Sequence, residues 1–374
     1  MSRNKTPYSD VDWRTHDQIV GCSHMHCETD KDFQRFISEG LEFATFANYY
    51  PSAPWYPLKD IRENAFKCRQ KGCTINGKYF DGEIDFNAVI SEWKGELKEE
   101  ARKQLPFTEG KPVFSNIPET LIEAPNAEYY SFTDTPNSTH VACPGSTFTC
   151  CTFDRSGEFG LKAHGYGFGV ALPWREGFDR ILDSMVEPDG GGITINHPAS
   201  SHLPLDLICQ MLDYDERVLG IEVFNHNDSV DFSGSAEPLW DVILGTGRQC
   251  FGFFVEDHNL RRNWRGKIII LTPERTAAGC LKAIRKGNFY GALIDNGLRF
   301  EYINFDGKTL RAKTNRPVTF KLASKYGIVG YTPNTTEFTY TVKEGTESLL
   351  GYLRLTAREG RETEKLYAQP FMLI

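Results

Sequence analysis

A chain of 374 residues is too long for one small domain and long enough for a barrel-sized domain followed by a smaller one. Hydrophobic residues at 40% and aromatics at 13% suffice for a full core. Lys and Arg number 42 against 50 Asp and Glu, a net charge of −8, which argues against a nucleic-acid groove working by bulk charge and leaves room for a small anionic substrate.

The first residues, MSRNKTPYSDVDW, lack the apolar stretch of a secretory signal, and no run approaches the roughly 18 apolar residues of a membrane span. The expectation is a cytoplasmic protein with no membrane partner. The ten cysteines then read as reduced thiols. Cys68 and Cys73 have no second pair at zinc-finger spacing, Cys150 and Cys151 read as one packed and one exposed thiol, and Cys27 reads as a small buried hydrophobe.

Repeats, low-complexity tracts and heptads are absent, and short apolar runs alternate with helix-like segments, which indicates α/β organisation. Ile19–Val20 predict a buried strand that breaks into His24-Met25-His26. Residues i and i+2 share one face of an extended chain, so both imidazoles point the same way, a ready pair of ligands for a divalent metal. Lys31–Ser38 carries Phe33, Phe36 and Ile37 at helical spacing and stops at Gly40. Leu41–Ala47 reads as a strand, and Pro51, Pro54 and Pro57 stiffen the loop after it. Ala88–Gln104 has an apolar stripe of Ile90, Trp93 and Leu97 and reads as a helix, whereas Val113–Ile122 is ambiguous. Asn126-Ala127-Glu128 ends an extended piece, and Thr139-His140-Val141 follows a polar turn.

Glu176–Val186 predicts a helix, after which Pro188–Gly192 turns the chain into Ile193–Ile195 and Asn196-His197-Pro198. The glycine run precedes a strand rather than opening a helix, so it is a turn and not a phosphate cradle. Leu205–Leu212, Leu239–Leu244 and Thr276–Lys286 predict helices, the last stopped by Gly287. Val218–Phe224, Phe251–Val255 and Ile268–Leu271 predict strands, the first two running into Asn225-His226 and Glu256-Asp257-His258. From Leu298 the pattern is antiparallel: Leu298–Phe305, a hairpin turn at Asp306-Gly307, then Pro317–Leu322, Phe338–Val342, Leu349–Thr356 and the end Pro370–Ile374. The expected division is residues 1–295 and a β-rich 296–374, the latter without histidine.

Of nine histidines, His24, His26, His197, His226 and His258 stand where apolar runs break. Parallel α/β folds place catalytic groups at such strand ends. Imidazoles with one or two carboxylates are the residue types of a hydrolytic metal centre. Glu222, flanked by Ile221 and Val223 inside a strand, is a carboxylate too costly to bury without a partner, which points to a role near that centre. Arg175, Arg261 and Arg262 are able to hold a phosphate but read first as surface charge. His164, His202 and His226 read as supporting residues, and His16 as surface.

SHMHC, Asn-His-Pro after a strand, GIEVFN, and an Asp-His after a later strand together resemble the ordered motifs of the polymerase and histidinol phosphatase (PHP) superfamily. The end LYAQPFMLI resembles its carbaryl-hydrolase-like branch, in which a β domain follows the barrel. The resemblance implies a distorted (β/α)7-type barrel with its site at the strand C-terminal face, then a small antiparallel β domain. It implies metal ligands at His24, His26, Glu128, His140, His197, Asp257 and His258, with Glu128 bridging. His258 and Glu222 become the candidate catalytic groups. One to three ions of Zn, Mn or Fe are expected, acting on a small phosphorylated substrate through activated water. Two departures stand out: Ala47-Asn48-Tyr49 replaces an expected Asp-His, and the closing Asp-x-His reads Asp257-His258-Asn259. Alternatives are carboxyl-ester, carbamate or amide hydrolysis at the same centre, or a degenerate, non-catalytic binding protein. Oligomeric state has no sequence signal.

Overall fold

Short apolar runs become strands, and amphipathic segments become the helices that cross between them. The computed structural model describes residues 6–27, 30–47, 67–75, 78–85, 114–126, 128–130, 132–146, 148, 172–226, 235–258, 265–293, 296–360 and 364–373, with backbone only at 67–75 and 78–85. The predicted helix Ala88–Gln104, the Cys150–Cys151 pair, and Asn48, His164, Asn259, Arg261 and Arg262 lie outside the described residues, as do the side chains of Cys68 and Cys73.

The chain begins with β1 (Asp17–Cys22), α1 (Asp30–Ser38) and β2 (Phe43–Ala44). A hairpin that the sequence pattern did not announce follows, β3 (Lys67–Ile75) with β4 (Lys78–Asp85). Three two-residue strands come next: β5 (Ile122–Glu123), β6 (Glu128–Tyr129) and β7 (Val141–Ala142). Then α2 (Trp174–Asp183) leads to β8 (Ile193–Ile195), α3 (Leu205–Tyr214) to β9 (Val218–Asn225), and α4 (Glu237–Gly245) to β10 (Phe251–Val255). β11 (Gly266–Thr272), α5 (Ala277–Lys286) and β12 (Phe289–Leu293) complete this part. The Thr276 hydroxyl accepts the Gly279 N–H to start α5, and Gly287 ends it at φ 77°, where a side chain would be strained. The C-terminal elements are β13 (Phe300–Phe305), β14 (Thr309–Ser324), β15 (Gly327–Thr341), α6 (Glu347–Leu350), β16 (Tyr352–Arg358), β17 (Lys365–Tyr367) and β18 (Phe371–Met372). The expected strand Leu349–Thr356 is divided, its start being the short helix α6 and its remainder β16, with Gly351 at φ 69° between them.

One sheet runs β10-β9-β8-β7-β6, with β8, β9 and β10 parallel and β7 antiparallel to both its neighbours. The second runs β13-β14-β16-β17-β12-β11-β1-β2-β5, with β15 on β14 and β18 on β16. Its middle is mixed: β1 pairs parallel with β2 and antiparallel with β11. The architecture is therefore mixed α/β, with six helices among the described residues. A (β/α)7 repeat is not reproduced among them, because β6, β7 and β8 alternate in direction and β11 and β12 run against their neighbours.

Two hydrogen-bonded seams join the sheets. At one, Met25 bridges Asp257, with His26 N–H on Asp257 O at 3.2 Å and Asp257 N–H on His24 O at 3.0 Å. At the other, Ala47 N–H reaches Met25 O at 2.9 Å and Glu128 N–H reaches Ala47 O at 3.2 Å. Asp257, the His24–His26 segment, Ala47 and Glu128 are thus successive rungs of one ladder. The apolar side chains of both sheets and of the C-terminal strands form one continuous buried cluster. The sheet crosses the expected 295/296 division, since β12 pairs with β17 from Gly291↔Tyr367 to Leu293↔Lys365. Among the described residues, no helix is long and apolar enough to cross a membrane, and all six described cysteines are buried.

β9 and β10 approach so closely at Gly220 that a Cβ there would overlap the Phe251 carbonyl oxygen. Gly220→Ala is expected to cost about 1–3 kcal/mol by forcing these strands apart, read as a lower urea midpoint at unchanged slope. A midpoint equal to wild type would contradict this packing.

Candidate metal centre

Just past the end of β1 at Cys22, His24 and His26 bring their Nε2 atoms to 3.2 Å of each other, both fully buried. Glu128 Oε2 lies 3.4 Å from His24 Nε2 and 3.2 Å from His26 Nε2. Asp257 Oδ1 lies 3.5 and 3.4 Å from the same two nitrogens. Two triangles therefore share the His24–His26 edge. Ligands about 2.0–2.1 Å from one ion at tetrahedral angles are about 3.3 Å apart, the size of these edges.

Glu128 turns its other oxygen the opposite way. Oε1 is 2.9 Å from His140 Nδ1 and 3.2 Å from His197 Nε2, and it accepts from Asn196 Nδ2 at 3.0 Å. Three donor groups compatible with a metal result: His24, His26 and Glu128; Glu128, His140 and His197; and His26, Asp257 and His258. Among the described residues, the buried Asp257 Oδ1 has no hydrogen-bond partner at normal geometry and is nearest the two imidazole nitrogens. An oxygen left open among imidazole nitrogens fits a cation at that point, and the imidazole–carboxylate set suits Zn, Mn or Fe.

The surroundings hold these groups in place. Glu222, buried in β9, has Oε1 at 2.7 Å from His24 Nδ1, while its Oε2 accepts the His197 N–H at 2.8 Å and Asn225 Nδ2 at 2.9 Å. A carboxylate on Nδ1 favours the tautomer with the proton there, leaving the Nε2 lone pair for the centre. Both oxygens of Glu222, the candidate catalytic carboxylate of the sequence, are engaged on the side of His24 away from the cluster. Ser201 Oγ sits 2.8 Å from His197 Nδ1 in the same relation. His197 and Asp257 adopt φ of 28° and 56°, in the left-handed region. Strain of this kind costs on the order of 1–3 kcal/mol per residue and persists only where surrounding contacts impose it.

His258 stacks on His26 with centroids 3.6 Å apart and planes within 3°, and its Nε2 is 3.9 Å from Asp257 Oδ1. It is the most open of the group, with 36% of its side chain exposed. His226 lies instead against Glu256, with Nδ1 3.2 Å from Oε2. Arg175 stacks over Trp174 and donates to Gln210. Sequence reasoning missed Asn196, Ser201 and Asn225, because hydrogen-bond support carries no residue pattern of its own.

The charges answer one another. Burial pushes Glu128 and Asp257 upward, but His24 with His140, and His24 with His26, outweigh it and hold both far below the usual carboxylate range. Burial lowers His24, yet Glu222, Asp257 and Glu128 pull it well above the ordinary imidazole value. His26 rises for the same reason, and His197 is carried up to about 9 by Glu128 against the effect of burial. His258 is pushed down to about 4, by burial first and then by His26. The upward shifts of His24, His26 and His197 thus set positive charge against the buried Glu128 and Asp257 carboxylates.

No family model matches the chain, and no curated protein matches it. Among solved structures, it is similar to a two-domain protein from Bacteroides vulgatus ATCC 8482, described as containing a predicted PHP-like metal-dependent phosphoesterase. The identity is 11%, the match covers 99% of this chain and 91% of that one, and the TM-score is 0.38.

In chelator-treated protein, His197 gains its proton's partner only on folding. Its folded value of about 9 exceeds the ordinary 6.5. The resulting stability is complete below pH 6.5 and is lost as pH rises through about 9. Thermal midpoints of the metal-free protein are expected to fall across that window. His197→Gln should flatten the fall without abolishing it, since His24 and His26 shift the same way. Equal slopes for the two proteins would contradict the assignment.

Proposed function

We propose that this chain is a metal-dependent hydrolase of the PHP type, acting on a small, anionic phosphoester. The supporting observation is the convergence of His24, His26, Glu128 and Asp257 on one point, with the second Glu128 oxygen directed at His140 and His197. In this reading His24, His26 and Asp257 would hold one divalent ion, and Glu128 with His140 and His197 would hold a second. Bound there, the ions supply Lewis acidity that lowers the pKa of a water and polarises the bond to be cleaved. Glu222 keeps the His24 lone pair on the centre, and Ser201 does so for His197. His258 stands on the open side, neutral near pH 7, and accepts or returns a proton at its ring nitrogen. A carbaryl-hydrolase-like specificity for carboxyl esters, carbamates or amides would use the same residues.

The test is elemental analysis of protein purified without chelator or oligohistidine tag, followed by paired assays on aryl phosphate mono- and diesters and on aryl carboxyl esters. One or two equivalents of Zn, Mn or Fe are expected, lost in His24→Ala and in Asp257→Ala while circular dichroism stays native. Phosphoester turnover should fall at least about 100-fold with the metal, since even residues behind the ligands are worth 10–100-fold. Turnover on carboxyl esters alone would transfer the proposal to the other substrate class. No metal, and none taken up from added Mn or Zn, would overturn it in favour of a non-catalytic binding protein.

A further inference from the structure

Glu222 and Asn225 are three residues apart in β9, and in an unbroken strand they would face opposite sides. The pairing with β10 shows why they do not. Gly220, Ile221 and Glu222 face Phe251, Gly252 and Phe253 in step, but Phe224 then faces Phe254 and Asn225 faces Val255. β9 therefore carries one extra residue, Val223, at this point. The Val223 carbonyl is held from outside β10 by the Ala236 N–H at 2.6 Å. One inserted residue reverses the alternation and brings Asn225 to the side of Glu222, an arrangement that recurs where a strand must re-aim a side chain.

There the Asn225 amide nitrogen donates to Glu222 Oε2 at 2.9 Å and to Asp257 Oδ2 at 3.0 Å, with Asn225 itself buried. Among short side chains, an amide is the one that offers two N–H groups from a single nitrogen. It satisfies two carboxylates that would otherwise repel, and it occupies Oδ2 of Asp257 so that Oδ1 turns to the histidines. Glu222, the other acceptor, holds the His24 ring and the His197 backbone. The orientation of His24, Asp257 and His197 thus meets at one amide.

We propose that Asn225 is a positioning residue that couples the two metal positions, a role that rests on the metal-centre reading above. The amide fixes Asp257 and His24 for the first ion and, through Glu222, His197 for the second. Removing it frees Asp257 to rotate and leaves Glu222 and Asp257 facing one another without a donor between them.

The test is a cobalt(II) titration of the metal-free full-length protein, following visible absorption, with affinities set by a competing chelator. In Asn225→Ala both equivalents are expected to bind about 10–100-fold more weakly, and the absorption of the bound ion to shift in position or intensity. Asn225→Asp, equal in volume but with a carboxylate in place of the donor, should bind no better than Asn225→Ala. A packing role predicts the reverse order and an unchanged cobalt spectrum. Circular dichroism and the thermal midpoint of the metal-free variants report the fold. If Asn225→Ala does not fold, Asn225→Ser, which keeps a polar group too short to span both carboxylates, carries the same measurement. Wild-type affinity and spectrum in a folded variant would overturn the proposal, as would weakening confined to one equivalent. A wild-type protein that takes up no cobalt would overturn the metal-centre reading itself, and this inference with it.

Discussion

Three carboxylates, Glu128, Glu222 and Asp257, are withdrawn from water around the His24 ring. Burying one unpaired carboxylate is costly, and three within reach of a single imidazole cannot all stay ionised without positive charge among them. His24 answers them on both ring nitrogens, with Glu222 on Nδ1 and Glu128 and Asp257 near Nε2. In the metal-free protein the carboxylates draw His24, His26 and His197 above the ordinary imidazole value, which favours protons there. Ions at the same points would replace them, and the imidazoles would return to the neutral form in which they are ligands. The left-handed backbone at His197 and Asp257 belongs to the same constraint, since each residue is bent to face Glu128 or His24.

The sheets bring the charges together. The rungs from Asp257 through the His24–His26 segment and Ala47 to Glu128 place their side chains at one end of the strands. On the far side, Tyr129 pairs with Val141, Val141 with Ile195, and Ile195 with Ile221, which sets Glu128, His140, Asn196 and Glu222 on successive neighbours. No single strand bears more than a few of these groups, so the centre is a property of the pairing and not of any local motif. Rigid strand ends also suit chemistry that tolerates little misplacement.

What the sequence disclosed follows from where the physics is local. Ile193–Ile195 and Phe251–Val255 coincide with their strands because each is a fully buried run bounded by turn residues. Thr276 and Gly287 bound α5 because a cap and a left-handed stop are single-residue effects. His24, His26, His197, His226 and His258 stand where apolar runs break, while Glu128 and His140 come only from the family resemblance; the structure gathers His24, His26, Glu128, His140, His197, Asp257 and His258 into overlapping groups and turns His226 to Glu256. Asn225 was not visible, because alternation by two assigns it to the wrong face and only the slip against β10 corrects this. Glu222 reads as reactive from burial alone; the histidines it engages lie 25 and 198 residues away in the chain, and no local pattern reports them. The division near residue 295 rested on a change of texture, which cannot show that β17 returns to pair with β12.

That return bears on the centre. α4 lies over β9 and β10, with the Trp240 ring so close to Gly252 that a Cβ there would meet it at 2.6 Å. The outer side of α4 is held by the C-terminal strands: the Arg354 guanidinium grips Asp241 at 2.8 and 2.9 Å, and the Tyr367 hydroxyl donates to Glu237 at 2.6 Å. Arg354 also lies over the Trp240 ring at 5.0 Å. A path of packed groups therefore runs from β16 and β17 through α4 to β10, whose end is Asp257. The C-terminal strands contain no histidine, and they need none to matter. By clamping α4 they brace the two strands that deliver Glu222, Asn225 and Asp257, and removing the half-buried Asp241 would leave the buried Arg354 guanidinium without its closest carboxylate, which is costly.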